Sequence, residues 1–338
     1  MNYKSIKLEK GMYHHSNKSF TEVLESLDPS ENYRGTPLEN LDAFQRQLKR
    51  FDIKVKGAGS DQVQKFYQTS DSAALFPEFL SRAIHQGMEE ANVISDIVAT
   101  KTKIDSMDYR SIASTPTDDE KRMEKVGEGE EIPETKVHLQ DHLVKLSKRG
   151  RSLSASYEAI QYQKLDLFTV TLKQIGAYLA TTLLEDAVDV VINGDGGNNP
   201  ATQYNTAESG TITYSDLLDL WGKFGAYQMN TMLASPDVML KILGIKEFQN
   251  PITGLNFQGT GVLNNPLGSK LIRSSAVPEG KLIALDKRFA LEQVIARDIT
   301  VESDKLIDKQ LSRSTITTIT GFAKIFKEAS AVLNVNQN

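Results

Sequence analysis

Two stretches of the chain carry residue types that could do chemistry. "HLQDH", residues 138 to 142, sets His138 and His142 four apart, a spacing that on a helix turns two imidazoles to one side as a zinc pair. The glutamate expected after the first histidine is replaced by Leu139, and Val137, Leu139 and Leu143 alternate as a strand does. This pattern predicts surface histidines rather than a metal centre. "INGDGGNNP", residues 192 to 200, has glycines suited to a phosphate cradle or a calcium loop. A cradle needs its glycines ahead of a helix N-terminus. Here they follow a helical stretch, where unpaired carbonyls and the negative dipole end repel an anion. Residues Asp195 to Asn199 also lack the alternating oxygen ligands and distant glutamate of a calcium loop. The segment reads as a helix stop, with Asn193-Gly194 turning left-handed. No G-x-S-x-G elbow, Walker loop or dinucleotide fingerprint is present, and Glu185 and Asp186 read as polar residues near a helix end. No catalytic residue, cofactor site or metal site is expected.

The stretch that positions this loop is informative in itself. Residues 156 to 191 contain no proline and one glycine, Gly176. Leu165, Phe168, Leu172, Ile175, Leu179 and Leu183 recur at spacings of three and four, which keeps one apolar stripe on one side of a helix. Ser154 or Ser156 is the expected cap, with Glu158 in the first turn. The spacing thus predicts one helix over 154–193, which at ~1.5 Å per residue spans roughly 55 Å. Gln163, Asp166, Lys173, Gln174 and Thr181 mark an opposite side that meets water or polar partners. A helix of that length suits a strut better than a compact core.

Composition bounds the class. The 338 residues are 39% hydrophobic and 25% charged, ordinary for a folded chain of two or three domains. No apolar run approaches a membrane span, and the opening "MNYKSIKLEKG" lacks the apolar block of a signal peptide. Zero cysteines exclude disulfides and thiolate chemistry, and the simplest compartment is cytosolic. A net charge of −5 gives no footprint for general nucleic-acid binding.

Along the chain, the first seventy residues are broken by "HHSNKSF", "DPSENYRGTP" and "KGAGSDQ", with one modest amphipathic candidate at 38 to 51. Alone this is a poor core, so an ordered path for such an arm requires that it lie on its own body or on a neighbouring subunit. Residues 71 to 93 give a helix candidate around Pro77. Strand-like stretches at "ISDIVATKTKI" and "VHLQDHLVKL" bound a long polar insertion, 108 to 134, which reads as a projecting hairpin. Acid fills its later part, with Asp118, Asp119, Glu120, Glu124, Glu128, Glu130, Glu131 and Glu134, and the chain then turns basic through Lys145, Lys148, Arg149 and Arg151. Glu128, Glu130 and Glu131 with those four bases are the candidate subunit contacts, since opposite blocks attract across a boundary. A more globular region follows at 200 to 280, with helices at "SDLLDLWGKFGAY" and "SPDVMLKIL" and turns at "NPITG" and "NNPLG". After 281, "KLIALD", "ALEQVIARDITVES" and "RSTITTITGFAKIF" are β-rich. From residue pattern alone this is a self-associating structural protein with no visible site.

The order of these parts, together with "KRGRSLSASYEAIQYQKLDLFTVTLKQIGAYLATTLLEDAVDVVINGD" and "GKLIALDKRFALEQVIARDITVESDKLIDKQ", resembles the major capsid proteins of tailed bacteriophages, notably of phages infecting Gram-positive bacteria. The resemblance covers about residues 75 to 330 and is weakest in the first seventy. It implies an α+β chain with the Hong Kong 97-like capsid fold. The parts would be an N-terminal arm (1–75), a helix leading into the body (76–99) and an extended β-hairpin loop (100–135). A peripheral domain with the spine helix (154–193) and a β-sheet would span 136–200 and 281–338, and an axial domain 201–280. The resemblance further implies pentamers and hexamers that build an icosahedral shell around packaged double-stranded DNA. Portal and scaffolding proteins are implied partners, DNA contact is expected to be weak and non-specific, and no membrane is involved. The implied place is the virion, with assembly in the host cytoplasm. Met1 suggests that no large scaffolding segment has been cut from this form. Two alternatives stand beside this reading: an encapsulin-like shell around a cargo enzyme, which calls for an inner-wall pocket, and an enzyme whose site converges only in three dimensions.

Overall fold

A computed structural model describes residues 3–14, 18–113, 125–132, 134, 138–156, 158–159, 162–249, 263, 265–306, 308 and 310–336. The chain divides into two compact units, whose boundaries fall within its longest elements.

The first unit comprises Met1–Ala91, Arg149–Leu179 and Ile299–Thr318. Its helices start where side chains satisfy the free amides of a first turn. Ser19 and Glu22 form a capping box on α1 (Phe20–Leu27), and Asp42 and Gln45 do the same on α2 (Ala43–Arg50). The short α3 (Ser70–Ala73) is capped by Thr69, and α4 (Phe76–Glu90) carries Pro77 in its first turn, where no amide donor is needed. The first seventy residues therefore share a core with later elements of the unit. Ile6, Leu8, Phe20, Leu24, Phe44, Leu48 and Phe66 join Leu75, Phe79 and Ile84 of the α4 region in one buried cluster with Leu165, Phe168 and Leu172. Tyr13 fastens the arm further, as its hydroxyl donates to Ala74 O at 2.7 Å and accepts the Glu78 N–H at 3.0 Å.

The long helix α5 runs Leu165–Asn193, 29 residues or about 44 Å, so the expected start at 154 is corrected. Residues Leu146–Ser156 are instead strand β4. Leu153 and Ala155, two apart, pack on the first unit's core, which is strand periodicity. Gly150 explains the close pairing, because a Cβ there would stand 2.8 Å from Ile316 O. Ser156 Oγ does accept the Ala159 N–H at 3.2 Å, yet the first-turn acid of the long helix is Asp166, not Glu158. The predicted stripe is buried or half-buried throughout, and Gly194 ends the helix at φ +86° with its amide bonded to Val190 O. The outer side is less polar than expected: Leu167, Val170 and Tyr178 are 62%, 61% and 55% exposed.

The second unit comprises Asn92–Lys148, Ala180–Asp298 and Ile319–Asn338. It holds a five-stranded sheet in the order β5-β11-β8-β6-β7, formed by Thr202–Asn205, Ser330–Asn334, Lys281–Leu285, Thr231–Ala234 and Lys270–Arg273 respectively. β8 runs antiparallel to both neighbours, with Ile283 opposite Val332 on one side and Leu233 on the other. β6 is buried at every position, as a strand covered on both faces must be. Helices α6 (Tyr214–Gly222) and α7 (Pro236–Leu243) supply Leu217, Leu220, Val238 and Ile242 to its core. The expected division at 280/281 thus falls inside this core, because the sheet is complete only with β8 and β11. A four-stranded sheet has the order β1-β9-β10-β4, with β1 (Val98–Lys103), β9 (Leu291–Leu306) and β10 (Leu311–Lys324). β1 lies parallel to β9. The short strands β2 (Ile112–Ala113) and β3 (His138–Leu139) pair antiparallel, Ile112 opposite Leu139, which closes the predicted polar insertion at its root. Asp118, Asp119, Glu120 and Glu124 lie outside the described residues, as does the turn at 250 to 254.

Candidate assembly elements and buried polar clusters

The residue pairs that could have been catalytic are separated or occupied. His138 lies in β3, and His142 follows it in a non-helical connection, so the two do not share a helix face. Among the described residues no cluster of three His, Asp or Glu could hold a metal ion. The imidazole of His142 lies over the 192–200 loop, and a Cβ on Gly197 would collide with its Cε1 at 2.5 Å. Its Nε2 is 2.9 Å from Asp195 Oδ1 but is not aligned for a hydrogen bond. Asp195 itself is a structural acceptor: Oδ1 takes the Gly197 N–H at 3.1 Å and Oδ2 the Lys324 N–H at 2.8 Å. The glycine loop therefore closes on its own carboxylate.

Three buried groups could not be found by motif. Glu292 Oε1 accepts from Thr102 Oγ1 at 2.5 Å and Tyr109 Oη at 2.8 Å, while Oε2 accepts from Ser111 Oγ. This carboxylate ties β1 and the start of the polar insertion to β9. Burial and then the Glu292 contact raise the Tyr109 hydroxyl above its ordinary range. Asp286, wholly buried, accepts from Gln228 N, Asn230 Nδ2 and Arg288 Nε at 2.9, 2.8 and 2.9 Å. Burial pushes its carboxyl up, but the Arg288 and backbone donors outweigh it and hold the group down at about 2. Lys324 is 1% exposed, and burial pulls its ammonium down to about 7. Sequence spacing carried no signal for these groups, since, apart from Arg288 beside Asp286, their partners are distant in sequence.

The candidate contact residues sit where a partner could reach them. Glu128, Glu130 and Glu131 are exposed, Glu130 bonding only the Gly127 N–H at 2.8 Å among the hydrogen bonds assigned to its side chain. Lys148 and Arg151 are exposed and Arg149 half-buried on β4, with Lys145 exposed just ahead of it. Among the described residues no ion pair joins these glutamates to Lys145 or Lys148 within the subunit. An open groove of about 570 Å³ on the second unit is lined by Gln203, Asn205, Glu279, Lys281, Asn334 and Asn336, a polar surface without a nucleophile and base in contact. No helix among the described residues is long and apolar enough to cross a membrane.

The sequence matches the model of a family described as phage capsid protein over residues 140–327, the span from the β3–β4 connection through α5 and the second unit's core to β10. No curated protein matches it. Among solved structures, a virus-like particle from Pyrococcus furiosus aligns with TM-score 0.52 at 13% identity, covering 77% of this chain and 99% of that one. The capsid of the cyanophage P-SCSP1u gives 0.52 at 13%, covering 72% and 88%. The capsid of a native GTA particle gives 0.53 at 13%, covering 73% and 90%. At such identities the likeness concerns the fold, and that fold is the Hong Kong 97-like shell fold.

Proposed function

This chain belongs to the phage capsid protein family, and from that membership we propose a specific division of labour within a head shell. The protein is a major capsid protein: a structural, self-assembling component of the virion's icosahedral shell. The observation that carries this is the family match over more than half of the chain, on a fold shared with shell proteins.

In our reading the subunits form pentamers and hexamers, without catalytic activity, around packaged double-stranded DNA. Residues 1–75 act as an arm and 100–135 as the extended loop; the axial domain is residues 201–280 together with the returning strands β8 and β11 that complete their sheet, and the peripheral domain is 136–200 with the rest of 281–338. Three features support it. The 29-residue helix has an apolar stripe on its core and exposed Leu167, Val170 and Tyr178 outside, as a strut with a second partner would. The polar insertion, paired at its root, carries the exposed Glu128, Glu130 and Glu131. The −5 net charge suits a wall that releases DNA, since a basic wall would bind phosphate and resist ejection. Portal and scaffolding proteins are the further partners in this reading, and assembly takes place in the host cytoplasm.

Negative-stain electron microscopy of the purified protein, with sedimentation, tests it. Closed shells or rings of five and six subunits are expected. Shells isolated from an expressing cell that hold a protein cargo in place of nucleic acid would favour the encapsulin-like alternative. A strict monomer at all salt and protein concentrations would remove unaided assembly.

A further inference from the structure

The second unit's sheet ends in a row of carboxamides whose orientation lysines fix. Lys281 on β8, Asn334 on β11 and Asn205 on β5 stand opposite one another in the strand register, so one row crosses three strands. Lys281 Nζ donates to Asn334 Oδ1 at 2.7 Å. An ammonium can only donate, so this contact commits the Asn334 oxygen and turns its amide nitrogen to the other side. Asn334 Nδ2 accordingly donates to Gln203 Oε1 and Asn205 Oδ1, each at 3.2 Å. With their oxygens held by Asn334, both residues keep their own NH2 groups free. In the same groove Lys241 Nζ donates to Asn336 Oδ1 at 3.2 Å, which frees Asn336 Nδ2 by the same logic. Gly280 makes room there: its φ is +75°, and a Cβ would stand 2.8 Å from Asn336 Nδ2.

These side chains and Glu279 line the open groove of about 570 Å³, a size within the range of small-molecule sites. Gln203, Asn205, Glu279 and Asn336 are exposed. Three amide groups and one ammonium are left to donate, and one carboxylate to accept. An apolar ligand finds no apolar wall here. An oxyanion meets Glu279 as well as Lys281, so the lining offers it no net charge. A neutral polyhydroxyl ligand matches the set, because each of its hydroxyls accepts from an amide N–H and gives its own proton to a carboxylate.

We propose that this groove is a binding site for neutral saccharides, with Gln203, Asn205 and Asn336 donating to sugar oxygens and Glu279 accepting from a sugar hydroxyl. Binding is weak, since no aromatic ring lines the groove to stack on a sugar face and every contact competes with water. The site lies within the sheet of one subunit and needs no neighbour, so it stands apart from the assembly reading.

Saturation-transfer NMR on the purified full-length subunit tests it, with maltose and chitobiose as probes and inorganic phosphate as competitor. Transfer to the ring protons of at least one disaccharide is expected, and phosphate should leave it in place. Asn205→Asp and Gln203→Glu keep the side-chain size and the oxygen that Asn334 holds, but remove the free N–H donors. Both positions are exposed, so folding should be unaffected, and each change should weaken binding about five- to tenfold. A cleft that traps the sugar by shape alone would keep its affinity. No transfer to either probe, unchanged affinity in either variant, or displacement by phosphate overturns the proposal.

Discussion

Arg46 and Asp28 form an ion pair that no water reaches: Nε lies 2.8 Å from Oδ2, and both side chains are fully buried. The guanidinium donates also to Ser30 Oγ, Leu41 O and Asp28 O while its carbon stacks 4.4 Å over the Tyr33 ring. A polar, broken arm is thus pinned by one residue of α2. Replacing Arg46 with Met should cost about 3–5 kcal/mol, because Asp28 is left charged in the interior. The double change Arg46→Met with Asp28→Asn should recover part of that loss. Thermal unfolding of the unassembled subunit measures both.

α4 and α5 meet backbone to backbone through two glycines. A Cβ at Gly176 would stand 2.1 Å from Ile84 O, and one at Gly87 2.0 Å from Lys173 O. Alanine at 176 gains about 1 kcal/mol in helix propensity, but overpacking costs about 1–3 kcal/mol or more. Gly176→Ala should therefore destabilise despite its better propensity, and Gly176→Leu should prevent folding. Denaturant unfolding that shows Gly176→Ala to be more stable would contradict this close approach.

Glu292 holds the root of the insertion through three hydroxyls whose residues are far away in sequence. Glu292→Ala should strand Thr102, Tyr109 and Ser111, at about 1–3 kcal/mol for the buried groups. The local consequence is faster tryptic cleavage after the exposed Arg110. Tyr109→Phe, which removes one of the three donors, should fall between wild type and Glu292→Ala in the same digest.

Asp286 links stability to acid. Its folded carboxyl is held at about 2, below the ordinary range of an aspartate. A depressed carboxyl contributes stability above its unfolded value, and that contribution is lost as pH falls through the folded value. Asp286→Asn should therefore cost roughly 2 kcal/mol at neutral pH and flatten the loss of stability between about pH 4 and about pH 2. Unfolding curves collected across that range in the two proteins report the difference.

Charge reversal tests the proposed intersubunit contact. Glu128, Glu130 and Glu131 are exposed and, among the described residues, form no ion pair with Lys145 or Lys148 of their own subunit, so their replacement by Lys should leave folding intact. Shell yield should fall, because like charges would meet at the proposed boundary. Normal particle yield from the folded triple variant would remove these residues from the contact.

Some of this architecture was legible in the residue order. Leu165, Phe168 and Leu172 announce one face of a helix, and Gly194 its end, because helix periodicity and left-handed stops are local properties. The alternating residues of β8, β9 and β10 and the closed root of the insertion are legible for the same reason. The helix start was not: the serines at 154 and 156 are good caps, yet pairing within a sheet claims them for β4. Local preference there loses to strand partners distant in sequence.

The sequence by itself determined that the chain builds a long strut, a β-rich return and no recognisable catalytic site, and its wording carried the capsid resemblance. Only the tertiary structure decided that the first seventy residues share a core with α4 and α5 and carry a buried Arg46–Asp28 pair, that β8 and β11 complete the second unit's sheet, and that Gly87 and Gly176 are contact points. It alone brought His142, Asp195 and Lys324 together. These are decisions of burial and close approach, made between residues that periodicity cannot relate, and their energies exist only once the partners have been brought out of water.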